Sequence, residues 1–106
     1  MKTIETLIKE ALSKRLLFTP HCAEQMNKPD RLISIAEVRE VIKSGKTIED
    51  YPEDKRGHSC LMMGYTSQNR LLHIVCSPKD EYLAVITAYV PDPLIWDATF
   101  AKRKKG

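Results

Sequence analysis

A chain of 106 residues has room for one hydrophobic core and no second domain. Its 42% apolar and 29% charged content is that of an ordinary globular protein, and no apolar run approaches the roughly 18 residues needed to span a bilayer. The formal charge of +3 sits in Lys102, Arg103, Lys104 and Lys105; without these four the body carries 13 basic against 14 acidic groups.

Residues 3–17 carry apolar side chains at Ile4, Leu7, Ile8, Ala11, Leu12 and Leu16, the stripe of an amphipathic helix. A second, short helix is expected from Pro20 to about Asn27. Thr19 precedes a proline and is biased toward the extended dihedrals of an N-cap, and Pro20 suits the first helical position. The third helix begins at a capping box of Ser34 and Glu37, and Gly45 stands where a left-handed C-terminal residue is wanted.

After Gly45 the apolar period changes to two. Thr47–Tyr51, Ser59–Tyr65, Arg70–Cys76 and Tyr82–Val90 read as four strands, joined over the last three by the short polar loops 66–69 and 77–81. Pro91 and Pro93 end the sheet, and LIWDATF adds a final helical turn. The expected fold is α+β: two to three N-terminal helices on one face of a four-stranded antiparallel meander. One domain is expected over residues 1–106, with its core at about 3–100 and a basic tail at 101–106.

The loop lengths place Tyr65 opposite Arg70 and Cys76 opposite Tyr82, hence His73 opposite Met62 and Val85. One face then carries Leu61, Met63, Leu72, Ile74, Ala84, Ile86 and Ala88, and packs against the helices. The other carries Cys60, Met62, Gly64, Leu71, His73, Val75, Leu83, Val85, Thr87 and Tyr89, and is expected to be an exposed, working surface.

Two histidines stand out. His21 falls in the first helical turn after Thr19-Pro20, where free backbone N–H groups favour an anion. His73 shares a strand face with Thr87 and Tyr89, a set able to hold and protonate a phosphate ester. Each has a plainer reading: a surface histidine on an ordinary helix, and a half-buried histidine satisfied by a neighbouring hydroxyl. His58, Cys60 and His73 could converge on zinc, but no paired CxxC knuckle accompanies them, so no metal and no cofactor is expected. The three widely spaced cysteines suit reduced thiols, and the N-terminus lacks a signal peptide's apolar block, which points to the cytoplasm.

FTPHCAEQM, RLISIAEVREVI, GHSCLMMGY, LLHIVCS and VITAYVPDPLIW together resemble a family of small bacterial and archaeal domains, domain of unknown function 4258. That family is itself similar to the RelE/barnase-like toxin ribonucleases, BrnT-type toxins among them. The resemblance covers roughly residues 16–96. Against its pattern H-A-x-x-R-M-x-x-R-x-I-S, His21, Met26, Arg31, Ile33 and Ser34 match. Cys22 replaces the alanine, and Gln25 replaces the first arginine.

The resemblance implies a metal-independent endoribonuclease of a toxin–antitoxin system. His21, His73, Thr87 and Tyr89 would be catalytic, and Gln25, Arg31 and Arg70 would contact substrate. RNA, in a ribosome-associated setting, and a zinc-ribbon antitoxin are the implied partners. The loss of an arginine at Gln25 opens a rival, a non-catalytic RNA- or protein-binding module on the same fold. A zinc-dependent interaction domain is a third reading.

Overall fold

The computed structural model describes residues 1–105. Helix α1 spans Ile4–Lys14, with Thr3 as N-cap accepting a bond from the Thr6 N–H at 3.2 Å. Its stripe buries Ile4, Ile8, Ala11 and Leu12. The helix stops earlier than its periodicity predicts: Arg15 is extended, and Leu16–Phe18 form a short strand, β1. Strand β1 runs parallel to β5 (Leu83–Tyr89), with Leu16 opposite Leu83 and Phe18 opposite Val85. The physical reason is the open edge of β5. Leu83 N–H donates to the Arg15 carbonyl at 2.8 Å and Thr19 N–H to the Val85 carbonyl at 3.1 Å. Two backbone groups that a helix would leave to water are thereby paired.

Helix α2 is Pro20–Met26, with Thr19 as N-cap and Pro20 in the first turn. The Thr19 hydroxyl accepts from Cys22 N–H at 3.1 Å and donates to the Ile86 carbonyl at 2.9 Å, so one side chain both starts the helix and ties it to β5. Helix α3 is Ile35–Ser44, opened by the full Ser34–Glu37 capping box with both bonds at 3.0 Å.

The remaining strands are β2 (Lys46–Tyr51), β3 (Ser59–Tyr65) and β4 (Leu71–Pro78). The sheet has five strands in the order β1-β5-β4-β3-β2. It is mixed, not the four-stranded antiparallel meander expected, because β1 adds a parallel edge; the α+β class stands. Three helices supply Ile8, Leu12, Cys22, Met26, Val38 and Ile42 to the core, which closes on one face of the sheet against Cys60, Met62, Leu72, Ile74, Val85 and Ala88.

Both hairpin registers differ from the loop-length expectation. The closing pair of the first hairpin is Thr66 and Arg70, and Asn69 takes a left-handed conformation (φ 64°). The loop is therefore three residues, 67–69, one fewer than expected, a tight turn closed by a left-handed residue, which Asn tolerates. Tyr65 therefore faces Leu71, and His73 faces Met63 rather than Met62. In the second hairpin Pro78 faces Leu83, and a bulge between Val75 and Cys76 brings His73 opposite Tyr89 instead of Val85.

A one-residue slip exchanges the faces of a strand. Cys60 and Met62 accordingly meet the helices, whereas Leu61 and Met63 lie outside that core. The bulge lets Val85 and Ala88, an odd number of residues apart, reach the same side. His73, Thr87 and Tyr89 do share the face turned away from the helices.

Gly45 ends α3 in an extended conformation (φ −80°, ψ −176°), not the left-handed one expected. Glycine is needed there for closeness. A Cβ would stand 2.4 Å from the Val41 carbonyl oxygen and 2.5 Å from that of Met63, and Gly64 approaches from the sheet. Helix propensity favours alanine over glycine, whereas this packing forbids it. Gly45→Ala is therefore expected to destabilise the fold by about 1–3 kcal/mol, read as a lower urea midpoint at unchanged slope.

Candidate functional site around His73

On the sheet face away from the helices, His73 is fully buried, at 0% exposure. The cover is the C-terminal segment from Pro91 onward. The helix expected at LIWDATF forms as a single turn, with Ile95 and Trp96 N–H donating to the Asp92 carbonyl at 2.9 and 3.0 Å, and no helix follows it. Asp92 and Asp97 instead accept local bonds from Leu94 N–H (2.8 Å) and Thr99 N–H (2.9 Å), the side-chain capture that competes with helix. Trp96 pairs with Arg103 across a short return, and Lys104 N–H donates to the Ile95 carbonyl at 2.8 Å. Phe100, left-handed at φ 58°, closes the return.

His73 Nε2 donates to the Phe100 carbonyl at 2.8 Å, since a carbonyl can only accept. Nδ1 is thereby left to accept from the Tyr89 hydroxyl at 3.3 Å. Trp96, itself 2% exposed, stands edge-on to the imidazole with ring centroids 4.5 Å apart and planes at 85°. Burial pushes the His73 pKa below its usual value, partly offset by the Phe100 carbonyl and the Glu49 carboxylate. The ring is neutral, with both nitrogens occupied.

Next to it lies a polar cluster that the sequence reading missed. Arg103 grips Glu49 with two parallel bonds, Nε to Oε2 at 3.0 Å and a terminal nitrogen to Oε1 at 3.1 Å. The Arg103 guanidinium also rests over the Trp96 ring, 4.7 Å from its centroid. Tyr51 donates to Glu49. The Arg103 contact holds the Glu49 carboxyl below its usual range. Burial and the bond to Glu49 push the Tyr51 phenol up to about 12. In the sequence Arg103 stands in the basic tail, and Glu49 and Tyr51 lie in a short strand with no motif around them. The one signal for such a cluster was Trp96, a large side chain just outside the sheet.

The other expected site residues lie apart from this cluster. His21 is exposed on α2, whose Cys22 and Met26 enter the helix-side core, so the sheet separates it from His73. Gln25 is half-buried on the same helix. Arg70 donates to the Leu32 carbonyl at 3.1 Å, to the Arg31 carbonyl and to Glu37 at 3.3 Å. It thus braces the α2–α3 loop, where Leu32 is left-handed (φ 39°). Arg31 is half-buried, 3.9 Å from Asp30. Thr87, also half-buried, lies opposite Val75 on the His73 face. The structure brings His73 to Tyr89, and Arg70 to Arg31, but it does not join the two groups.

Among the described residues no three His, Cys, Asp or Glu side chains converge to hold a metal ion. His58 is turned to Asp50, at 2.6 Å. The three cysteines are free and buried. No helix is long and apolar enough to cross a membrane.

A histidine whose folded pKa is depressed supports the fold when neutral. Below the unfolded-state pKa of about 6.5 the unfolded chain takes up the proton first, so stability falls as pH drops. Wild type is expected to lose stability between pH 7.5 and 5.5 by more than His73→Gln does, compared in urea titrations. Glu49, with its lowered pKa, acts only at more acidic pH. At pH 7.5 the substitution itself is expected to cost about 1–3 kcal/mol, because Phe100 or Tyr89 loses its partner. Equal pH slopes in the two proteins would remove His73 from the titration.

No curated protein and no solved structure matches the chain significantly. One family model does match, over residues 18–90, from the end of β1 to just past β5. The matched span holds His73, Tyr89, Glu49 and Tyr51, whereas Trp96 and Arg103 lie beyond it. The chain belongs to the family described as Domain of unknown function (DUF4258).

Proposed function

We propose that this domain is a binding module, for RNA or for a protein, that makes no use of histidine acid–base catalysis. One observation carries the reading: His73 has no exposed surface and spends both ring nitrogens on Phe100 and Tyr89. A general acid or base must come within hydrogen-bond reach of the substrate proton, directly or through one water. Here that reach ends inside the protein. His21, on the opposite side of the sheet, is not placed to complete a pair. The bonding of Arg70 to the α2–α3 loop likewise leaves it a strut rather than a phosphate clamp.

A second reading is the metal-independent endoribonuclease of toxin type, with RNA as substrate and a zinc-ribbon antitoxin as partner. The observation that favours it is the cluster of Glu49, Arg103, Tyr51 and Tyr89 around His73. A carboxylate, a guanidinium and two phenols can move a proton and stabilise a charged phosphorane without a metal. In that chemistry the RNA 2′-hydroxyl attacks its own phosphorus, Glu49 takes the hydroxyl proton, and the neighbouring nucleoside oxygen leaves with a proton supplied by the site. Arg103 would have to release Glu49 first.

Incubating the purified protein with RNA in excess EDTA separates the two. Intact RNA is expected. Fragments ending in cyclic phosphate, reduced about 10²–10⁴-fold by Glu49→Gln, would sink the binding-module reading and establish the nuclease.

A further inference from the structure

On the helix side of the molecule, four basic side chains crowd one groove. Lys9, Arg39, Lys43 and Lys46 border two adjoining cavities of about 400 and 390 Å³ between α1 and α3, and Lys9 and Lys43 line both. The three lysines are exposed, and none of the four enters an ion pair among the described residues. By contrast Arg31, Arg56, Arg70 and Arg103 each have a carboxylate partner. A single carboxylate, Glu5, faces the groove. The charge is segregated, because the body outside the tail carries more acidic than basic groups in all.

We propose that this groove docks an acidic, amphipathic segment of a partner protein, an inference that rests on the binding-module reading. Lys9 and Lys43 line the cavity together with Ile8, Ile42 and Met62, and a lysine side chain offers a methylene stem as well as an ammonium group. Such a groove suits a segment with apolar anchors on one face and carboxylates on the other. Its carboxylates would neutralise four cations that now face a single carboxylate, Glu5. Single-stranded RNA fits less well, since its seats combine positive charge with aromatic stacking platforms. No aromatic side chain lines either cavity.

The test is fluorescence anisotropy on the whole chain with three labelled probes: a helical leucine–glutamate peptide, the same peptide with serine for leucine, and poly(U). The leucine–glutamate peptide is expected to bind, more weakly as salt rises. Reversing two rim charges, Lys9→Glu with Lys43→Glu, should weaken binding roughly tenfold or more. Reversing Lys102 and Lys104 should change it little. The neutral pair Lys9→Gln with Lys43→Gln should give a smaller loss in the same direction, and circular dichroism checks that each variant is folded.

Failure of the peptide to bind would overturn the proposal, as would equal losses from the groove and tail reversals. Undiminished binding of the serine peptide would remove the apolar anchors. Poly(U) binding that depends on Lys9 and Lys43 would make the groove a nucleic-acid seat instead. RNA cleavage that depends on Glu49 sinks the underlying module reading, whereas partner binding indifferent to the groove variants sinks only the groove.

Discussion

The bond from His73 Nε2 to the Phe100 carbonyl ties the C-terminal segment to the sheet face turned away from the helices. A sheet covered by helices on one face still has a second face to protect. Here that face is wide and largely apolar, with Leu61, Met63 and Val75 beside the histidine. The C-terminal segment covers it without regular structure, so its backbone groups need partners at defined points. His73 supplies one of them, and Trp96 fills the space beside the ring. Outside Trp96, Arg103 closes the layer by reaching Glu49 on the far strand of the sheet. A neutral imidazole is well suited to the position. It offers a donor on one side and an acceptor on the other at no cost in buried charge.

The helix side is governed by closeness. Gly45 and Gly64 let the end of α3 descend onto β3, which places Val41 and Ile42 against Cys60 and Met62. Arg70 performs a comparable task at the other end of α3. Its guanidinium spans the Arg31 and Leu32 carbonyls and Glu37, so the loop into α3 and the capping box share one cation. A guanidinium is a common phosphate ligand, yet five donors in a rigid fork also suit a loop rich in carbonyls.

These two faces divide the possible functions. Chemistry at the His73 face requires the Arg103–Glu49 contact to open, because the histidine itself is enclosed. Recognition at the α1–α3 groove requires no rearrangement, since its three lysines are already exposed and enter no ion pair among the described residues. The two surfaces lie on opposite sides of the sheet.

Sequence alone determined the features that local physics settles. Thr19-Pro20 and Ser34 with Glu37 marked two helix starts, because capping depends only on residues three apart. Alternation located β2 to β5 and put Thr87 and Tyr89 on one face; His73 joins them because the slip at the second turn and the bulge cancel in parity. Tertiary structure decided whatever depends on distant pairing. Leu16–Phe18 became a strand because β5 had an open edge 67 residues away in the chain. The hairpin registers turned on a left-handed Asn69 and a bulge, each of which shifts a strand by one residue and reverses its faces. The largest difference is at His73. Whether its face meets water or Trp96 was decided by a segment with no periodic pattern to read.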